Sequence, residues 1–145
     1  MTLKRPSMRA RDKVRVLVID DDEVAREFLC DILRSEGFTV MDWPSAIGVT
    51  NKIVRDEINV VVLDIMMPTI RGDRLATLLR KNAALGALGV VLVSGCPREE
   101  LDQLAMEVGA EAVVSKQEAR TELAWAVAQA ARSRGTSGTP GPTSF

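Results

Sequence analysis

Three stretches of this chain are continuously apolar and rich in β-branched residues: 14–19 (interrupted only by Arg15), 60–63 and 90–93. A strand with one face in water alternates apolar and polar residues. A strand covered on both faces does not need to. Between and after these runs lie segments with apolar residues at helical spacing. Residues 23–35 carry Val24, Phe28, Leu29, Ile32 and Leu33 on one stripe, with Gly37 as the stop. Residues 45–55 carry Ile47, Val49 and Ile53, with Ser45 as a cap. Residues 74–81 offer Leu75, Leu78 and Leu79. Residues 98–108 offer Leu101, Leu104, Ala105 and Val108, with Pro97 in the first turn and Gly109 as the stop. A final helix is expected over 118–133. Weaker strands are expected at 38–43 and 112–114.

Strand and helix therefore alternate five times. That order predicts a parallel sheet with helices on both faces. The expected fold class is α/β: a flavodoxin-like, doubly wound (βα)5 three-layer sandwich with a parallel five-stranded sheet in the order 2-1-3-4-5. The folded unit is expected over 14–132. It is flanked by a basic flexible arm over 1–13 and a flexible Gly/Ser/Thr/Pro tail over 133–145.

Composition narrows the chemistry. The 145 residues contain no His and no Tyr, with aromatics at 3%. The core must be aliphatic. Imidazole nucleophiles, bases and metal ligands are excluded, and with them zincins, Ser-His-Asp hydrolases and histidine phosphocarriers. A metal site would need oxygen ligands and a hard cation such as Mg²⁺. Lys4, Arg5, Arg9, Arg11, Lys13 and Arg15 crowd the first residues against Asp12 alone, which leaves the remainder acidic. An acidic body is unsuited to wrapping nucleic acid. The two cysteines, Cys30 and Cys96, form no CxxC, and the N-terminus has no apolar signal core. No apolar run is long enough to span a membrane. A cytoplasmic protein without membrane partners is expected.

Ligands of such sheets lie at the carboxyl ends of the strands, near the switch between the first and third. The residues there are Asp20, Asp21 and Asp22 after the first strand and Asp64 after the third. Ser94 follows the fourth, and Lys116 lies just past the fifth. Each alone has an ordinary reading: a helix cap, a loop acid, a strand-end serine, a surface lysine. Together they are chemistry. Close carboxylates repel by about 4 kcal/mol per pair at an effective dielectric near 20. A divalent cation relieves the repulsion and leaves one carboxylate free to attack phosphorus. A hydroxyl and a fixed ammonium can then hold the phosphoryl oxygens.

These segments resemble the receiver domain of two-component response regulators. VLVIDDDE is similar to that family's first strand and acidic pair. VVVLDIMMPTIRG is similar to its phosphorylation segment, VVLVSG to its fourth strand and switch hydroxyl, and GAEAVVSK to the run into its lysine. The resemblance implies that Asp64 accepts a phosphoryl group from a histidine kinase. It implies that Asp20 and Asp21 hold Mg²⁺, with Asp21 and Asp64 favoured as direct ligands and Met66 adding its backbone carbonyl. It also implies that Ser94 and Lys116 hold the phosphoryl group. Asp22 is given no role in the site and is read as a cap of the first helix. Two positions depart from the family pattern: Gln117 follows the lysine in place of Pro, and Val113 replaces the aromatic three residues before it.

The expected function is that of a single-domain response regulator. The short tail leaves no room for an output domain, so output is expected as contact with another protein. Trp125, off the Leu123–Val127 stripe, is a candidate anchor. No enzyme activity is expected beyond self-phosphorylation and self-dephosphorylation. One alternative is a binding module that never takes phosphate. Another is a haloacid-dehalogenase-like phosphatase using Asp20 and Asp22, for which the late acidic pair is missing.

Overall fold

The computed structural model describes residues 11–68, 70–95 and 98–135. From Arg15 onward the described residues form five strands alternating with five helices in chain order: β1 Arg15–Ile19, α1 Glu23–Ser35, β2 Thr39–Trp43, α2 Val49–Arg55, β3 Val60–Asp64, α3 Gly72–Lys81, β4 Gly89–Ser94, α4 Arg98–Val108, β5 Ala112–Ser115 and α5 Ala119–Gly135. Short 3-10 turns at Ala83–Leu85 and Lys116–Glu118 precede β4 and α5. The sheet is parallel throughout, in the order β2-β1-β3-β4-β5. This is the order expected from the alternation of elements.

The unbroken apolar runs are explained by two separate cores. Side chains alternate across a strand. Val16, Val18, Val60, Val62, Val91 and Val93 enter one core with α1 and α5. Leu17, Ile19, Val61, Leu63, Val90 and Leu92 enter the other with α2, α3 and α4. All five residues of β3 are buried. On the first side the packing is close because the helix surface is small. A Cβ at Gly89 would lie 2.9 Å from the Ala130 carbonyl oxygen, with Ala126 and Ala130 buried beneath α5.

Several expected details differ. Val24 and Leu78 are exposed, at 75% and 52%, although each falls on an apolar stripe. Buried Ala76 lies beside Leu75 and Leu79 on the face that α3 turns inward. The second helix begins at Val49, not Ser45. The Ser45 hydroxyl accepts the Ile47 amide at 3.1 Å, which closes a local turn and caps no helix. Gly48, at φ 77°, then makes the left-handed step into α2, and Ile47 is left in solvent. Arg11, within the expected basic arm, bonds Glu36 at 2.8 Å and lies over the Phe38 ring. Helix α5 runs to Gly135. Pro97 and Cys96 lie outside the described residues, as do 1–10 and 136–145. Cys30 is buried, and burial pushes its thiol up to about 11.

Candidate functional site

The parallel register brings the chain's polar strand ends to one edge. Val62 pairs with Val18, and Asp64 pairs with Val93, so the ends of β1, β3 and β4 are level. Ser94 ends β4 opposite Ser115. The backbone N–H of Asp20 donates to the Trp43 carbonyl at 3.3 Å, which carries the β1–β2 ladder one residue past the strand.

Asp20 is fully buried and Asp64 is 3% exposed. One carboxylate oxygen from each of Asp20, Asp21 and Asp64 lies within 4.8 Å of the other two. The Lys116 ammonium stands over the pair, 3.3 Å from Asp64 Oδ1 and 3.4 Å from Asp20 Oδ2. Neither of those two buried oxygens accepts a hydrogen bond of good geometry. The other Asp20 oxygen accepts the Asp22 amide at 2.9 Å.

The electrostatics follow from burial. Desolvation raises the Asp20 carboxyl above its ordinary value. The Asp22 amide opposes that shift, Asp64 adds to it and Lys116 opposes it. Burial works against the Lys116 ammonium, but the Asp64 and Asp20 carboxylates outweigh it and raise its pKa. The lysine is therefore held charged. Three carboxylates still share one cation. Two buried oxygens without hydrogen bonds and an all-oxygen donor set suit a hard divalent ion.

Asp22 has another task. Its side chain accepts the Ala25 amide at 2.9 Å and caps α1, with Glu23 also placed at the positive end of the helix. The acids that cluster with Asp20 are Asp21 and Asp64, not the Asp22 that the phosphatase reading uses. Met66 has an exposed side chain in the loop after β3. That loop is tight: Met67 and Gly72 both donate to the Ile65 carbonyl, at 3.1 and 2.8 Å. Ser94 is fully buried at its strand end. Among the described residues no peptide bond is cis, so Lys116–Gln117 is trans. The Ser115 hydroxyl accepts the Gln117 amide at 3.3 Å and seats the turn that presents the lysine. Val113 is half-buried on the α4 side of β5.

Sequence reasoning missed one contributor. Arg26 donates to the Asp20 carbonyl at 2.8 Å and pairs with Asp42 on β2 at 2.8 Å. Its four-residue spacing from Asp22 was the available signal, but it reads as an ordinary helix-surface cation. Gly72, eight residues past Asp64, lies so close to β3 that a Cβ would fall 2.2 Å from the Asp64 carbonyl oxygen.

Comparison with known proteins agrees with this geometry. The profile of the response regulator receiver domain matches residues 16–128. The phosphate regulon transcriptional regulatory protein PhoB of Klebsiella pneumoniae is 30% identical over 112 residues, covering 75% of this chain and 48% of that protein. A protein-glutamate methylesterase/protein-glutamine glutaminase of Rhodopseudomonas palustris is 34% identical over 137 residues, covering 86% of this chain and 37% of that protein. The chain thus spans less than half the length of these curated relatives. A CheY-like receiver domain protein from Methanospirillum hungatei superposes with a TM-score of 0.72 at 23% identity, covering 86% of this chain and 98% of that one. The receiver domain of a NarL-type regulator from Mycobacterium tuberculosis gives 0.70 at 27% identity, covering 83% and 98%. The profile spans nearly all of the two-core sheet, and the same sheet recurs in chains of low identity. On these grounds the chain belongs to the response regulator receiver domain family, the signalling module of two-component systems.

Proposed function

We propose that this chain accepts a phosphoryl group on Asp64 from a phosphorylated histidine of a partner kinase, and signals by protein–protein contact. The observation that carries the reading is the Lys116 ammonium set between Asp64 and Asp20 with Asp21 beside them. An Asp64 carboxylate oxygen forms the new bond to phosphorus. The bond from phosphorus to the donor imidazole nitrogen breaks with its electron pair staying on that nitrogen, and the proton already on the other ring nitrogen lets the imidazole leave neutral. Lys116 is close enough to Asp64 to balance the charge of the phosphoryl oxygens, and the Ser94 hydroxyl at the neighbouring strand end is their hydrogen-bond donor. Asp20, Asp21 and Asp64, with the Met66 carbonyl, would hold Mg²⁺, which when bound neutralises charge on the transferring group. Burial of Asp20 and Asp64 keeps the acceptor carboxylate fixed and poorly hydrated.

The unit bearing this site is taken as 14–132, with 1–13 and 133–145 as flanks, and the proposed compartment is the cytoplasm. Among the described residues no helix is long and apolar enough to cross a membrane. Trp125, 63% exposed on α5, is the proposed anchor for a downstream protein. No nucleic acid contact is assigned to this unit. The test is incubation with acetyl phosphate and Mg²⁺, read by intact mass. A gain of one phosphoryl group is expected in the wild type and none in Asp64→Asn. An equal gain in that variant would remove Asp64 from the role.

A second reading, a module that binds partners without phosphate, draws on Val113 and Gln117, which replace the family's aromatic and proline. It predicts no Mg²⁺ binding at millimolar concentration by Trp fluorescence.

A further inference from the structure

Asp21 is the least secured of the three clustered acids. It is exposed, and no hydrogen bond or ion pair to its side chain is formed among the described residues. Its position therefore depends on its backbone. The peptide plane that sets that backbone contains the Asp20 carbonyl and the Asp21 nitrogen. The structure holds this plane from outside the acidic cluster. The Arg26 guanidinium, reaching back from α1, donates from Nη1 to the Asp20 carbonyl at 2.8 Å. Its Nε donates to Asp42 Oδ2, also at 2.8 Å. The Arg26 side chain is only 14% exposed, whereas Asp42 is 46% exposed. One planar fork thus joins the first turns of α1, the end of β1 and the end of β2. Lysine, with a single nitrogen at its tip, could not span both acceptors in this way.

We propose that Arg26 is a positioning residue. By fixing the Asp20–Asp21 peptide against β2 it sets the aim of Asp21 toward the cation, and so sets the affinity of the site for Mg²⁺ without touching the metal or the phosphoryl group. The proposal rests on the reading of Asp20, Asp21 and Asp64 as the metal site. Groups that orient metal ligands commonly change affinity 10–100-fold when removed. The effect here acts through the backbone, so the lower end applies.

The test uses the whole chain and titrates MgCl₂ by calorimetry in the wild type, Arg26→Met, Arg26→Lys and Asp42→Asn, with the metal-free melting temperature of each. Arg26→Met retains the apolar stem and loses both bonds. It is expected to weaken Mg²⁺ binding about tenfold, with Arg26→Lys in between. Asp42→Asn, which leaves the Asp20 contact in place, is expected to weaken binding less. The double variant Arg26→Met/Asp42→Asn should bind no worse than Arg26→Met alone, because both changes release one clamp. Acetyl phosphate labelling of Asp64 at saturating Mg²⁺ should match the wild type and lag only at low Mg²⁺. A lower melting temperature with an unchanged Mg²⁺ dissociation constant would reduce Arg26 to a fold clamp and overturn the proposal. If Arg26→Met does not fold, Arg26→Lys, which cannot span both acceptors, decides: unchanged Mg²⁺ affinity there overturns the proposal as well. A wild type that binds no Mg²⁺ would defeat the underlying metal reading, which is a separate result from variants that match a competent wild type.

Discussion

Asp20 shows how one side chain can oppose the fold that carries it. It is fully buried, and desolvation lifts its carboxyl above the unfolded value of 3.8. A raised carboxyl favours the neutral form in the folded state. Its stabilising contribution is present below pH 3.8 and is lost as the pH rises through the folded value. At neutral pH the metal-free protein therefore holds an ionised Asp20 at a cost. Asp20→Asn should raise the metal-free melting temperature at pH 7 by a few degrees, roughly 1 kcal/mol. The gain should shrink below pH 4, and the variant should lose the stabilisation that Mg²⁺ gives the wild type. Melting curves at both pH values, with and without Mg²⁺, would check this. A fall in metal-free stability at pH 7 would contradict it.

At the scale of elements, α1 and α3 both start at the site, by different means. Helix α1 starts on a side-chain cap, because Asp22 accepts the Ala25 amide. Asp22→Ala should cost about 1 kcal/mol, and Asp22→Asn much less. Urea unfolding should show a lower midpoint with an unchanged slope, and phosphoryl uptake on Asp64 should persist. Helix α3 starts without a side-chain cap, on Gly72, where chain meets chain. A methyl group 2.2 Å from the Asp64 carbonyl oxygen has no room, and its neighbours are backbone rather than flexible side chains. Gly72→Ala should therefore destabilise by about 1–3 kcal/mol. Because Asp64 itself must shift, Mg²⁺ affinity should fall with it, a pairing that calorimetry and urea midpoints can follow.

Across the whole molecule the sheet separates two cores, and β3 runs through the middle with every residue buried. Amide exchange should be slowest along Val60–Leu63, flanked by β1 and β4, and faster along β2 and β5 at the edges. Equal protection in β2 and β3 by hydrogen-exchange mass spectrometry would contradict that gradient. The site occupies the carboxyl edge of this fully buried strand. Under the proposed function, an acceptor on a fully buried strand suits a group that must be modified without unfolding its support.

The sequence by itself determined the architecture. Unbroken runs such as 60–63 can be buried only if both faces are covered, and five such alternations with helices leave a parallel sheet as the economical arrangement. The sequence also named Asp20, Asp21, Asp64, Ser94 and Lys116, because strand ends in this topology lie along one edge. It misplaced Val24, Leu78 and the start of α2. An apolar stripe records spacing around a helix, whereas burial depends on how far the sheet extends beneath it. Only the tertiary structure decided that Lys116 stands between Asp64 and Asp20 and that Arg26 reaches back to the Asp20 carbonyl. Those contacts depend on distances of a few ångströms between residues far apart in the chain or on different elements, which local propensity does not encode and which packing of the two cores sets.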